Sequence, residues 1–303
     1  MISVIIPFHN EKDNLTQLTG ELTAGLGKLG EEYEVIFVDD GSTDGSGKAV
    51  KQLQEKDAKL RLILNNKRQG KGEALRRGLE ESRGDLIVFM DADLQDDPSD
   101  LNLFLEKIRE GADFVNGIRA DRKESPVVKT YSGFANAFLK AFLQSPFTDI
   151  NCGYKMFRRS VLNDFNLYGN NFRFLPLAAY YKGFRVEEVP VHNRPRIHGV
   201  TKFGSKKLLV GIFDTVTAYF LFRFSEQPLH FFGIIGGLFF LAGFVITGIL
   251  TVERLFFNVL LYRRPSLLLG ILLIIVGIQI GMTGIIGELI VYQHKKSRSR
   301  LRS

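Results

Sequence analysis

A chain of 303 residues, 45% apolar and 24% charged, has the balance of a folded protein and room for one large domain or two smaller ones. Its net charge of +7 suits a surface lying against anionic lipid, and its single cysteine, Cys152, excludes an intramolecular disulfide and reads as a small buried residue. The opening MISVIIPFHN has the pattern of a strand and lacks a basic leader, so no signal peptide is expected and roughly the first 220 residues should stay on the side where they are made.

Short apolar runs rich in β-branched residues predict strands at 2–8 (ISVIIPF), 33–39 (YEVIFVD), 60–64 (LRLIL), 85–90 (DLIVFM) and 112–118 (ADFVNGI). Helical spacing of apolar positions fills the intervals at 11–29, 46–58, 70–84 and 98–111, the last with Pro98 in its first turn and Asp97 as cap. This alternation implies an α/β fold built on a mainly parallel sheet covered on both faces. Ligands in such folds gather at the carboxyl ends of the strands. The polar clusters fall there: HNE after the first strand, DDGSTDGS after the second, DADLQDD after the fourth and RADRK after the fifth.

Beyond residue 125 the pattern changes to a helix-like VVKTYSGFANAFLKAFL (127–143), then CGYKMFR, a second short helix and FRVEEVPVHNR. Residues 201–222 carry Lys202, Lys206 and Lys207 ahead of a largely apolar run and read as an interfacial helix. Two stretches without Asp, Glu, Lys or Arg follow, Gln227–Val252 with 26 residues and Pro265–Gly287 with 23. A membrane-spanning helix needs about 20 such residues, and core helices rarely run as long without a charge. Gly233/Gly237 and Gly277/Gly281 have the four-residue spacing that lets helices approach closely, which leaves a homo-oligomer open. The tail HKKSRSRLRS places the C-terminus in the cytoplasm by the positive-inside rule, and two spans return the chain to its starting side. The expected divisions are a catalytic domain at 1–200, a juxtamembrane helix at 201–226, a two-helix membrane region at 227–292 and a basic tail at 293–303. Two spans make lipid rather than nucleic acid the partner of the positive charge.

The stretch FMDADLQDDP gathers Asp91, Asp93, Asp96 and Asp97 behind an apolar strand, where like charges repel and stability gains nothing. If the extended backbone continues past Met90, alternation points Asp91, Asp93 and Gln95 to one side. Three oxygen donors on one face suit a hard divalent ion, Mg²⁺ or Mn²⁺, which takes one or two carboxylates and completes its shell with phosphate oxygens. A calcium EF-hand is excluded, because its glycine position would be Asp96 and its closing glutamate Asn102. NKRQGKGEA lacks the GK[ST] of a Walker loop, and no Ser–His–Asp or Cys–His arrangement can be assembled from the five histidines.

In this order VIIPFHNEKDNL, VDDGSTDGS, DADLQDDP, GIR and RIHGVTKFG resemble inverting family 2 glycosyltransferases of GT-A fold, over residues 2 to about 210. The likeness is strongest to polyprenyl-phosphate sugar transferases of the dolichyl-phosphate mannose synthase type, and the appended pair of spans is similar to their bacterial undecaprenyl-phosphate members. The resemblance implies that Pro7, His9 and Glu11 line a nucleotide pocket, with His9 where a tyrosine is usual, and that Val38 and Asp40 hold base and ribose. It implies that Asp91 and Ala92 lie along the donor, that Asp93 and Gln95 coordinate the metal, and that Arg119 faces the phosphates. Arg196 and Lys202 match a basic pair on a segment closing over the donor. KTYSGFAN aligns with a helix usually reading Lys/Arg-x-x-Ser-Arg; Lys129 and Ser132 are kept as acceptor-phosphate residues with Arg119, and Gly133 stands at the arginine position. Asp149 sits at an acidic position of the family.

The chemistry agrees with that likeness. A polyprenyl phosphate is already an anion, so as nucleophile it needs in-line positioning and neutralisation of the departing diphosphate more than a general base. The expected activity is inverting transfer of a hexose, from a nucleotide-diphosphate sugar and by preference UDP, to undecaprenyl phosphate. A polysaccharide synthase would call for a QxxRW-like motif and more spans, and a catalytically silent membrane scaffold or partner-binding subunit would have no use for the Asp91, Asp93 and Gln95 set.

Overall fold

The computed structural model describes residues 1–119, 146–162, 165, 171–195, 216–217, 220, 224, 227–257 and 265–300. The chain divides into two compact units, Met1–Asp214 and Thr215–Ser303.

The first unit is built on a seven-stranded sheet: β1 (Ile2–Phe8), β2 (Tyr33–Asp39), β3 (Leu60–Leu64), β4 (Leu86–Phe89), β5 (Phe114–Arg119), β6 (Lys155–Arg158) and β7 (Val186–Val191), in the spatial order β3-β2-β1-β4-β6-β5-β7. Every residue of β1 is buried, as its unbroken apolar run requires of a strand that pairs in parallel with β2 on one side and β4 on the other. Its two faces feed two cores. Ile2, Val4, Ile6 and Phe8 face α1 (Lys12–Lys28), which contributes Leu15, Leu18, Leu22 and Leu26 at helical spacing, and α4 (Leu101–Arg109), which contributes Phe104, Leu105 and Ile108. Ile5 lies on the opposite face with Ile36, Val38, Ile87 and Phe89, against Ala74 and Leu75 of α3 (Lys71–Glu81). Burial of each such Leu, Ile or Phe contributes about 1.5–3 kcal/mol. At Gly78 a Cβ would stand 2.4 Å from Ile5 Cγ2, so the glycine lets α3 lie directly on the sheet.

The first three predicted strands coincide with the observed ones, and the next two are offset by one or two residues at their ends. The helix expected at 46–58 stops at Gln54 (α2, Ser46–Gln54). The predicted start at Pro98 is a 3-10 turn, Pro98–Asp100, that leads into α4, and Asp97 caps it by accepting the Ser99 amide at 2.9 Å. The sheet is not wholly parallel. β6 is inserted antiparallel between β4 and β5, pairing Phe89 with Lys155 and Asn116 with Lys155. The helix expected at 127–143 lies outside the described residues, as does most of 201–226.

Among the described residues the second unit holds two long helices, Pro228–Phe257 and Pro265–Arg300. The 30 residues of the first span about 45 Å, more than the roughly 30 Å of a hydrocarbon core. Leu238, Phe244, Leu255 and Leu268 are exposed, an outer surface suited to lipid.

The expected glycine contacts are partly corrected. A Cβ at Gly237 would meet nothing and one at Gly233 only the side chain of Leu229 on its own helix, so that pair turns away from the seam. The close approach is made instead at Gly236 and Gly243 against Gly270 and Gly277, where a Cβ on Gly236 would fall 2.6 Å from the Gly277 carbonyl and one on Gly243 would fall 2.5 Å from the Gly270 carbonyl. These glycines recur every seven residues, the repeat of a left-handed two-helix seam, rather than every four. Gly277→Leu should therefore separate the helices and cost about 1–3 kcal/mol by overpacking, whereas Gly237→Leu should be neutral. Thermal unfolding midpoints in detergent check both, and equal midpoints for the two variants would contradict this seam.

Candidate active site

The loops after β1 and β2 are laced together at the carboxyl edge of the sheet. The Asn10 amide donates to Ser42 Oγ at 3.0 Å, the Thr43 amide to Asn10 Oδ1 at 2.8 Å, and the Glu11 amide to Ser46 Oγ at 3.1 Å. Asp39 accepts the Ser42 amide at 2.7 Å. Pro7 and Val38 are register partners at the ends of their strands, His9 Nδ1 lies 3.0 Å from the Asp40 carbonyl, and Glu11 accepts Asn14 Nδ2 at 2.6 Å at the start of α1. The five residues Pro7, His9, Glu11, Val38 and Asp40 are thus neighbours along two adjacent strand ends. The Asp40 carboxylate is buried and reaches sideways, accepting the amides of Gln69 at 2.7 Å and Gly70 at 2.9 Å. It fixes the loop that precedes α3.

The acidic stretch departs from the expected alternation. β4 ends at Phe89, and the backbone bends through Ala92–Leu94 with Leu94 at φ 59°, so no extended strand carries Asp91, Asp93 and Gln95 to one side. Ala92 and Leu94 turn into the apolar core, and the carboxylates collect around a turn. Asp93 and Asp96 are both buried. Burial, with the charges of Asp91 and Asp93 added, pushes the Asp96 carboxyl up to about 7. The backbone of Gly153 closes on Asp91: a Cβ there would stand 2.8 Å from Oδ2.

Among the described residues no three His, Cys, Asp or Glu side chains form a ready-made metal cage. A divalent ion that shares its shell with a diphosphate needs only one or two carboxylates from the protein. The donor set fits such an ion: hard oxygen ligands gather in one turn, where burial and then the charges of Asp91 and Asp93 raise the Asp96 carboxyl, and a cation beside them would offset that charge.

Three strands away from β1, Arg119 closes β5. Its guanidinium grips Asp149 in bidentate fashion, Nε to Oδ2 at 2.8 Å and Nη2 to Oδ1 at 2.9 Å. Burial raises the Asp149 carboxyl, but hydrogen bonds and charge from Arg119 outweigh it and hold the group below the usual carboxylate range. The loop bearing Asp149 is strapped from three strands. Asn116 of β5 donates to the Asp149 carbonyl at 2.9 Å, Glu188 of β7 accepts the Thr148 amide at 3.0 Å, and Lys155 of β6 donates to the Ile150 carbonyl at 3.2 Å. The Lys155 amine also donates to Asn116 Oδ1 at 2.5 Å, and burial pushes it down to about 8. The sequence marks Asp149 without its partner; Lys155, a charge inside the apolar CGYKMFR, was passed over there, though a lone lysine in an apolar run is the trace an internal polar network leaves.

The segment after β7 is bound to the acidic turn. Asp100 accepts both the amide and, at 2.8 Å, the ring Nδ1 of His192. Asn193 bridges to Asp96, the Arg194 amide donates to the Gln95 carbonyl at 2.9 Å, and the Arg194 side chain pairs with Asp97 and Glu21 at 2.6 Å each. Arg196 and Lys202, expected just beyond, and the acceptor residues Lys129 and Ser132 lie outside the described residues. Lys71, for which the sequence offered only a failed Walker loop, forms an ion pair with Asp91.

Residues 3–165 match the model of glycosyl transferase family 2. The undecaprenyl-phosphate 4-deoxy-4-formamido-L-arabinose transferase of Edwardsiella ictaluri is 30% identical over 303 residues, 99% of this chain and 92% of that protein. Among solved structures, glucosyl-3-phosphoglycerate synthase from Mycobacterium tuberculosis, crystallised with Mn²⁺, UDP-glucose and phosphoglyceric acid, superposes with a TM-score of 0.56 at 18% identity, covering 72% of this chain and 79% of that one. Mannosyl-3-phosphoglycerate synthase from Rubrobacter xylanophilus gives 0.57 at 20% identity, covering 72% of each chain. The fold is therefore GT-A with two helices long and apolar enough to cross a membrane, and the chain is a glycosyltransferase that belongs to glycosyl transferase family 2.

Proposed function

We propose that this enzyme transfers a sugar from a nucleotide-diphosphate sugar to undecaprenyl phosphate with inversion, giving a lipid-linked sugar for the cell envelope. The observation that carries the reading is the full-length likeness to an undecaprenyl-phosphate sugar transferase, which takes in the pair of apolar helices as well as the catalytic unit. Pro7, His9, Glu11, Val38 and Asp40 form the nucleotide pocket, and Asp91 and Ala92 lie along the donor. Asp93 and Gln95 would hold a divalent ion, Mg²⁺ or Mn²⁺, and its charge would offset that of the departing diphosphate. Arg196 and Lys202 add positive charge from the segment that follows Arg194, which is itself anchored to the acidic turn. Arg119, Lys129 and Ser132 receive the acceptor phosphate.

The lipid acceptor sets the location. Both spans lie in the cytoplasmic membrane, with the catalytic unit and the basic tail on the cytoplasmic side. Residues 1–200, 201–226, 227–292 and 293–303 serve as catalytic domain, juxtamembrane helix, spans and tail. The donor is UDP linked to a hexose. A second reading, with 4-deoxy-4-formamido-L-arabinose as the sugar, is favoured by the name of the full-length relative. Purified enzyme in detergent, offered a panel of nucleotide sugars with polyprenyl phosphate, separates the two. Failure of every donor to label the lipid would overturn the proposal.

The acceptor site gives a sharper expectation. With Gly133 in place of an arginine, Lys129 carries more of the acceptor-phosphate charge, and Lys129→Ala should raise the KM for polyprenyl phosphate by roughly tenfold or more while leaving the donor KM unchanged. A wild-type acceptor KM would move the acceptor phosphate elsewhere.

A further inference from the structure

Lys71 stands at a junction between the two halves of the site. It is the first residue of α3, directly after Gly70, whose φ of 98° turns the chain into the helix. Asp40 holds that turn by accepting the amides of Gln69 and Gly70. The Lys71 ammonium ion-pairs with Asp91 and sits over the ring of Phe172, 5.0 Å from its centroid. Its side chain is 31% exposed and that of Asp91 36%, so solvent and a ligand reach both. On its other flank Asp91 is closed in by the Gly153 backbone. The cation therefore sits on a half-exposed member of an acidic turn whose other members, Asp93 and Asp96, are buried.

We infer that Lys71 is a built-in counter-cation of the acidic turn, which leaves Asp91 for the donor's diphosphate when the divalent ion enters, so that ion and donor bind strongly only together. The inference rests on the assignment of Asp93 and Gln95 as metal residues. An ammonium within a few ångströms of a divalent cation is repelled, and at an effective dielectric near 20 the cost is several kcal/mol unless the ammonium moves. A lysine can move: its charge rides on a four-carbon stem of rotatable bonds. With no anion to receive it, leaving Asp91 costs an ion pair, and the ion alone binds weakly. A diphosphate supplies a new partner, and the same displacement becomes favourable. The coupling is reciprocal, since whatever factor the nucleotide adds to metal affinity the metal adds to nucleotide affinity.

The test is Mn²⁺ titration of the full-length protein in detergent, followed by the electron paramagnetic resonance signal of free Mn²⁺, with and without UDP. Lys71→Met should bind Mn²⁺ about tenfold more tightly than wild type in the absence of UDP, and UDP should add less to its affinity than to that of wild type. Lys71→Arg, which keeps the charge, should behave as wild type. Unchanged or weaker Mn²⁺ binding by Lys71→Met without UDP, in a protein with wild-type thermal unfolding, overturns the inference. Asp93→Ala separates it from its premise. If Asp93→Ala abolishes Mn²⁺ binding while Lys71→Met leaves it unchanged, only the counter-cation idea fails; if Asp93→Ala binds Mn²⁺ as wild type does, the metal assignment fails and takes the inference with it.

Discussion

Asp93→Ala should reduce sugar transfer by a factor of about 10²–10³, and Asp93→Asn nearly as far, because removal of a charged group that stabilises the transition state costs about 3–4 kcal/mol. Asp93 is buried in the turn after β4, and asparagine keeps the shape without the charge. Donor binding without turnover should survive in part through the nucleotide residues proposed on the loops after β1 and β2. Turnover measured at saturating donor, with Mn²⁺ or Mg²⁺ added back after chelation, checks the expectation. Full activity of either variant in the presence of chelator would remove the metal from the mechanism.

Arg119→Ala should destabilise the protein by about 3–5 kcal/mol, the cost of leaving a buried carboxylate without its cation. Both side chains of the Arg119–Asp149 pair are less than one-fifth exposed, so solvent does little to replace the lost partner. Arg119→Ala combined with Asp149→Asn should recover much of the loss, which a double-mutant cycle on thermal unfolding in detergent would reveal. The pair also has a pH signature. Asp149 is held below its ordinary value in the folded state, so the unfolded chain binds more protons in the interval between the two values. The stabilisation is complete above the unfolded carboxylate value of about 3.9 and is lost as pH falls through the folded one. The stability gap between wild type and Arg119→Ala should therefore narrow in acid below about pH 4. A gap that stays constant down to pH 2 would show that the pair's charge contributes nothing.

Strands with a single continuous apolar run were legible, and β1, β2 and β3 lie where their residue patterns put them. β6 was not, because the four residues Lys155–Arg158 are too few and too mixed to show a period. The acidic turn was legible as chemistry but not as geometry. Alternation assumes an extended chain, and Leu94 at φ 59° breaks it two residues after Ala92. Contacts distant in sequence stayed hidden: Lys71 to Asp91 and Arg119 to Asp149 depend on which strands neighbour one another. In the helix pair, glycines at four-residue spacing drew attention to Gly233 and Gly237, whereas the seam follows the seven-residue repeat through Gly236 and Gly243. Local spacing identifies glycine-rich faces; the face that is used depends on the partner helix.

The insertion of β6 between β4 and β5 also sets a width. Adjacent strands lie about 4.8 Å apart, so the acidic turn after β4 and Arg119 at the end of β5 are separated by two such intervals, close to 10 Å. Two glycines let the chain pass closely there: a Cβ on Gly117 would press on Cys152 Sγ at 3.0 Å, and one on Gly153 would press on Asp91. Main-chain hydrogen bonding, rather than any choice of side chain, gauges the span from the acidic turn to Arg119. Point substitutions along the rim leave that gauge untouched. Under the proposed assignment of donor and acceptor, discrimination between one sugar and another would fall to groups that overhang the gap, and the reach from diphosphate to acceptor would stay constant.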